Sequence, residues 1–475
     1  MWIAIRLPQL PLEIFLRGSS TPEPFAVEER HRVFACDRKA LTRGVRPGMA
    51  VPTALALTPQ IRITQRDPAA ETEALLGVAG WAAQFTPGVA LEFPDAVLLD
   101  ASGSLKLFGG LPPLIGRLRR DLADMGWSAR LAGAPTPRGA SWLAFAGSER
   151  FVDSAAELEA TLAALSVAVL RCDGETLEAL GAVGAVGVRT IGELLALPRG
   201  GVARRFGQPL IDSLDRALGR LPDPRNFFVP PPRFSAAIEL PAEVVQTEAL
   251  LFAAKRLIVQ LAGFLAARSG GAQRLAFRLG HRDRPATEVA IGLVAPSRDA
   301  GHFALLARER FAGLALAEPV RSIALAVDEV LPLAGHDLEL LLEQGKPQGD
   351  WERLLERLRA RLGAEAVGGI AVQPEHRPER ASAAADPGAK PLQLEFGERP
   401  IWLLSRPKPL EEIGARPHHE GPLELLAGPE RIESGWWDGG DVARDYFIAR
   451  MQNEALVWVY RERGGGGWYL HGLFA

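Results

Sequence analysis

The hydrophobic positions of this 475-residue chain change period several times, and each change marks an element. Trp2 to Leu7 alternates, with Ile3, Ile5 and Leu7 on one face and Trp2, Ala4 and Arg6 on the other, which predicts a short strand. Residues 36–58 are more polar, and RGVRPGM forms a turn before the helical stretch VPTALAL. From Glu71 to Phe85 the period is helical, with Leu75, Val78, Ala79 and Ala82 on one stripe. AVLL at 96–99 predicts a buried strand, and GSLKLFGG after it a turn and a second strand. Residues 111–125 and 136–147 predict helices. The first 165 residues or so are thus α+β, with the opening strand joining a sheet completed much later.

Residues 175–218 carry only helical patterns. RLPDPRNFFVPPPRF at 220–234 holds five prolines and predicts an extended linker. Beyond it come a strand near 235–240, a helix near 246–267, strands near 272–280 and 286–294, a helix near 302–313 and a strand near 320–328. This β-α-β-β-α-β order predicts one sheet backed by two helices. DWERLLERLRARLG at 350–363 is an amphipathic helix, and 372–400 reads as a Pro/Ala-rich linker. The last 75 residues hold five of the ten tryptophans and all three tyrosines, and their final thirty predict three strands of a small β module. Adjacent Trp436 and Trp437, taken as strand residues, point opposite ways, which leaves one outside the core as a candidate partner-binding anchor.

Composition narrows the function classes. With 54 Lys+Arg against 57 Asp+Glu the net charge is −3, so any nucleic-acid surface is a local stripe on a balanced background. Cys36 and Cys172 stand 136 residues apart without CxxC spacing, and the eight histidines are scattered, which predicts neither a disulfide framework nor a metal site. No cofactor motif is present. The opening run is broken by Pro8, Gln9 and Pro11, and no uninterrupted apolar stretch reaches spanning length. The expectation is a multidomain cytoplasmic protein with no membrane partner.

The sharpest local signal lies at 175–207. A helix ending at Leu180, a connection holding Gly184 and Gly187, and a second helix opening at Thr190 resemble a helix-hairpin-helix, whose glycines let backbone N–H groups approach a phosphate. Arg189, Arg204 and Arg205 would add charge. An ordinary glycine-capped helical hairpin fits the same residues. Further on, Arg274, Arg278, Arg282 and Arg284 cluster near one hairpin, within a segment (233–335) of twelve basic and ten acidic residues. Modest, salt-sensitive, sequence-blind DNA binding is expected there.

The order of these domains resembles the palm, fingers, thumb and little finger of Y-family translesion DNA polymerases, and GVRPGM at 44–49 with Ala54 resembles that family's fingers segment. The resemblance implies carboxylates on adjacent palm strands holding two Mg²⁺ ions. Here the first of them is Arg6, Asp95 survives, and its neighbour is Ala96. The positions of the family's triphosphate grips are Arg38 and Leu41, and its two helix-start lysines match Pro137 and Ser141's neighbourhood without a lysine. A closer resemblance, over essentially the whole chain, is to the catalytically inactive Y-family-like subunits of bacterial damage-inducible mutagenesis complexes. It rests on LPQLPLEIF, LLDASGSLKLFGG, APTP and the tail GPERIESGWWDGGDVARDYF to WYLHGLFA.

That likeness implies a scaffold in SOS mutagenesis that binds primed or single-stranded template DNA. Its implied partners are the β sliding clamp, a RecA-like accessory protein and an error-prone C-family DNA polymerase. Two segments fit the clamp peptide: Asp337-Leu338-Glu339-Leu340-Leu341 and Gln393-Leu394-Glu395-Phe396. The implied domains are palm (1–17 and 76–167), fingers (18–75), thumb (168–228), little finger (233–335), a clamp-peptide and linker region (336–400) and a C-terminal partner module (401–475). Two rivals stand beside this reading: a weak polymerase using Asp95 with Glu92 or Asp100, and a helix-hairpin-helix repair protein acting alone.

Overall fold

The computed structural model describes all residues except 19–22, 173–175, 317, 334–347, 388–391, 393–396 and 475. It divides into two units, Met1–Arg361 and Leu362–Ala475.

The first unit opens with β1 (Trp2–Arg6) and α1 (Leu10–Leu16). The segment that the resemblance assigns to the fingers (the names palm, thumb and little finger below are used in the same sense) follows as β2 (Phe25–Glu29), β3 (Arg32–Cys36), α2 (Arg38–Thr42), α3 (Val51–Leu57) and β4 (Arg62–Gln65), with sheet order β3-β2-β4. Then come α4 (Pro68–Ala82), β5 (Val89–Glu92), β6 (Ala96–Asp100), α5 (Leu111–Asp124), β7 (Arg130–Ala134) and α6 (Pro137–Ala146). The palm sheet runs β5-β6-β1-β7, so the first strand lies inside a sheet whose other members arrive some ninety residues later. Ile3, Ile5 and Leu7 fill the core under α4 and α5, whereas Ala4 faces the core that contains α6. The α4 stripe Leu75, Val78, Ala79 and Ala82 is buried as its spacing requires.

Two expectations are corrected here. A boundary at 75/76 would cut α4, which belongs whole to the palm core. The stretch after β6 is a chain of turns rather than a strand, because Gly109 and Gly110 adopt positive φ and Leu105 and Gly110 amides bond back locally.

The thumb consists of α7 (Ala155–Ala163), a 3₁₀ turn at Val167–Cys172, α8 (Leu177–Ala185), α9 (Ile191–Leu195), α10 (Arg199–Phe206) and α11 (Gln208–Ala217). The proline-rich linker is extended, as expected. Phe227 bridges Ala90, the Phe228 amide donates to the Val89 carbonyl at 2.7 Å, and Phe227 stacks on Trp2. The linker thereby adds itself to the free edge of β5.

The little finger follows the expected order: β8 (Phe234–Val244), α12 (Thr247–Ala267), β9 (Gly270–Gly280), β10 (Thr287–Ser297), α13 (Ala300–Ala312) and β11 (Val320–Val327). The short β12 (Leu331–Pro332) pairs with β9, and the sheet runs β10-β9-β11-β8. Leu275, Phe277, Leu279, Val289, Ile323 and Leu325 point inward onto α12 and α13. Among the described residues, α12 is the one helix long and apolar enough to cross a membrane; just over half of that window is buried inside the protein. Its Gly263 passes so close to Trp81 of α4 that a Cβ there would lie 2.2 Å from the indole ring. α14 (Gln348–Leu362) closes the unit, docked by Glu356, whose carboxylate accepts the Val294 amide at 2.7 Å and pairs with His302 at 2.5 Å.

The second unit corrects the expected linker at 372–400. β13 (Gly369–Val372) and β14 (Ser382–Ala385) pair as a two-stranded sheet around a 3₁₀ turn at Pro378–Arg380. Six further strands form one antiparallel sheet: β15 (Trp402–Ile413), β16 (Arg416–His418), β17 (Glu424–Ser434), β18 (Val442–Arg450), β19 (Leu456–Glu462) and β20 (Trp468–Leu473), in the order β16-β15-β20-β19-β18-β17. The three strands expected in the final thirty residues are its last three in sequence. Tyr446 stacks on Trp458 at 3.9 Å, and its hydroxyl lies 2.8 Å from His471 Nδ1.

Candidate functional site

Strand pairing lines Glu92, Ala96, Arg6 and Arg130 up in one row across the palm sheet. Arg6, the residue that the polymerase resemblance sets at a metal-binding position, lies at the centre of this row and is engaged within the protein. Its Nε donates to Asp95 Oδ2 at 2.9 Å, one terminal nitrogen donates to the Phe145 carbonyl at 3.0 Å, and the guanidinium lies 4.1 Å over the Phe145 ring. Burial pushes the Asp95 carboxyl up, and Arg6 pulls it back down.

A second cluster, which sequence reasoning missed, lies along the same face. Glu92 forms an ion pair with Arg225 of the linker, and Ser141 of α6 donates to it at 3.4 Å. Arg225 also binds Asp223 at 2.7 Å, and Arg138 donates to Ser213 at 2.8 Å. Burial raises the Glu92 carboxyl, with Arg225 the strongest opposing influence. Its only sequence signal was Asp-Pro-Arg inside a linker read as extended; nothing local says where that arginine reaches. Asp100 is occupied as well: its Oδ1 accepts from the Ser102 amide and hydroxyl.

The two Mg²⁺ ions implied by the polymerase resemblance do not fit these residues. Asp95 and Glu92 each already hold a guanidinium, and Ala96 supplies no donor. A unit positive charge about 4 Å from a divalent ion costs several kcal/mol even at an effective dielectric of about 20. Of the two positions that the resemblance gives to triphosphate grips, Arg38 opens α2 behind the Asp37 cap and Leu41 is exposed.

In the thumb, Gly184 lies within α8, which continues to Ala185, whereas Gly187 has φ +84° in the connection. No atom lies within 4 Å of where a Cβ would stand on either glycine. The helix start at Thr190 is a capping box: the Thr190 hydroxyl accepts the Glu193 amide, and Glu193 accepts the Arg189 and Thr190 amides at 2.7 and 3.4 Å. A carboxylate of the chain itself thus sits on the amides that a phosphate would use. Arg189, Arg204 and Arg205 are exposed.

In the little finger, Arg274 and Arg278 project from the outer sheet face, and Arg282 and Arg284 lie in the β9–β10 connection. Arg278 stands 3.6 Å from Glu288 on the paired strand. The same face carries small residues in register, Ser235-Ala326-Ala276-Ala290 and Ala237-Ala324, with Glu239 beside Ser322 toward its end, an arrangement that periodicity alone did not reveal.

Both clamp-peptide segments, 337–341 and 393–396, lie outside the described residues. Trp436 and Trp437 are not strand residues. They occupy the turn between β17 and β18, where positive φ at Gly435 and Gly439 ends the strand, and both are outside the core at 79% and 59% exposure. Arg377 holds this turn: it donates to both Asp438 carboxylate oxygens, at 2.9 and 2.7 Å, and to the Gly440 carbonyl at 3.2 Å, while Glu375 binds it from behind at 2.7 Å.

Residues 18–144 match the impB/mucB/samB family. The matched stretch lies within the first unit, which is α+β, and the second unit adds a C-terminal β module. Along most of its length the chain is similar to Protein ImuB of Caulobacter vibrioides strain NA1000 / CB15N, with 29% identity over 463 residues covering 91% of this chain and all of that protein. Protein ImuB of strain ATCC 19089 / CIP 103742 / CB 15 gives the same figures. Among solved structures it is similar to a Dbh ternary complex (TM-score 0.39, 15% identity, 70% of this chain and all of the other). It is also similar to DinB from Sulfolobus solfataricus (TM-score 0.37, 14% identity, 70% and 99%).

Proposed function

We propose that this chain is a non-catalytic scaffold of an error-prone translesion complex. It holds primed or single-stranded DNA and brings together the sliding clamp, a RecA-like accessory protein and a C-family polymerase that makes the bonds. The observation that carries this reading is the Arg6 guanidinium seated on Asp95 beside Ala96, where a polymerase needs two metal-binding carboxylates. Exposed Arg189, Arg204 and Arg205 in the thumb and Arg274, Arg278, Arg282 and Arg284 in the little finger would contact phosphates, with Gly184 and Gly187 allowing close backbone approach. Asp337–Leu341 or Gln393–Phe396 would fill the clamp groove, and Trp436 and Trp437 would anchor a protein partner. Such a protein works in the bacterial cytoplasm at the nucleoid and needs no cofactor.

Primer extension with the purified chain, four dNTPs and Mg²⁺ or Mn²⁺ tests the reading. The expected result is binding to the primed template with no nucleotide added. Even one added nucleotide that disappears with Asp95→Ala would make the chain a polymerase and overturn it. The commitment of Glu92 to Arg225 argues against that rival, since its substitute carboxylate is already paired.

A further inference from the structure

The little finger has a second exposed face, opposite the sheet face that carries Arg274 and Arg278. There α12, α13 and α14 line a groove made of two adjoining depressions of about 340 and 400 Å³, which meet at Gly301 and Leu305 of α13. Leu251 and Ile258 of α12, Leu305 of α13 and Leu354 of α14 form its apolar floor, with Leu354 45% exposed. The rim is basic: Lys255, Arg308, Arg353 and Arg357. Lys255 and Arg308 have no carboxylate partner among the described residues. Arg353 and Arg357 reach Asp299 and Glu309 only at 3.3 and 3.6 Å and stay at least half exposed. The buried Glu356 carboxylate ties α14 to His302 and to the Val294 amide.

We propose that this groove receives an acidic amphipathic helix from a protein partner. An apolar strip flanked by cations, with Lys255 and Arg308 lacking a carboxylate partner among the described residues, matches a helix with Leu-type side chains at i, i+3, i+4 and i+7 and carboxylates on its flanks. Charge complementarity orients and speeds the docking, and burial of the apolar stripe supplies its affinity. The apolar floor distinguishes the groove from the little finger's sheet face, where small side chains and arginines suit a phosphate backbone. The inference does not depend on whether the palm is active.

The test uses the full chain and a fluorescein-labelled peptide of about 18 residues, roughly five helical turns, with Leu at those positions and Glu on the flanks. Fluorescence anisotropy should show binding that weakens with salt and falls about tenfold or more in Lys255→Glu/Arg308→Glu. Leu305→Asp should lower it comparably, and a peptide with Lys in place of every Glu should not bind. Circular dichroism melts report whether each variant folds; should Leu305→Asp not fold, the surface double variant still decides. Binding no tighter than that of a scrambled peptide, or unchanged by the double variant, overturns the proposal. So does a DNA duplex that displaces the peptide and loses affinity in the same double variant, since the rim would then be a phosphate surface.

Discussion

The palm cleft and the Trp436–Trp437 turn are built from the same chemistry to opposite ends. In the palm, Arg6 and Arg225 reach inward to Asp95 and Glu92, and both carboxylates are spent inside the protein. In the turn, Arg377 spends its hydrogen bonds on Asp438 and Gly440, and the result is two indoles held outward. An arginine–carboxylate knot is therefore not itself a mark of function. What matters is whether it closes a surface or presents one.

The most damaging way to break this comparison is Arg225→Ala. It would leave Glu92 buried without its cation, and breaking a buried pair from one side costs about 3–5 kcal/mol. We expect a loss of that order in the urea midpoint of the first unit, with Arg225→Lys recovering only part of it because a lysine cannot bind Glu92 and Asp223 as a planar fork does. In the turn, Gly435→Ala should cost about 1–3 kcal/mol. Its φ is +92°, and a Cβ would meet the Gly440 carbonyl oxygen at 2.3 Å, so tryptophan emission should shift with the melt.

The two knots should also separate by pH. Burial raises the Glu92 carboxyl, so its contribution is fully present below the ordinary carboxylate range and is lost as the pH rises through the raised value. Arg377 holds Glu375 down to about 2, so its contribution is present above the ordinary value and is lost as the pH falls toward about 2. Acid titration followed by hydrogen exchange should open the turn while the Glu92 cluster is retained; the reverse order would contradict both assignments. The smallest effect is expected from Trp436→Ala and Trp437→Ala. Both indoles are largely in solvent, so stability should change by no more than about 0.5 kcal/mol. A protein partner that uses them should nevertheless lose about 2 kcal/mol or more of affinity in a binding titration.

Much of the fold was legible because period follows burial. The opening strand, the α4 stripe and the β-α-β-β-α-β order of the little finger each bury one face, and a one-faced element shows its period in the sequence. The place of Arg6 at the end of the opening strand was legible too, since it needed only alternation. What could not be read depends on contacts distant in the chain or on backbone angles. Arg225 meets Glu92 across 133 residues, and no local pattern carries that pairing. Two neighbouring tryptophans look like alternating strand residues until positive φ at Gly435 and Gly439 turns them both outward. GSLKLFGG alternates as a strand does, yet its glycine pair and local amide bonds wind it into turns.

The edge that Phe227 and Phe228 add to β5 makes the linker a pinned cord rather than a free one. Only residues 229–233 remain between that pin and β8, and five extended residues reach at most about 18 Å. The little finger is therefore leashed to the palm rather than to the thumb. The thumb helices are held to the palm on the other side of the pin by the core they share with α6, so each neighbour is fastened to the palm by its own contacts.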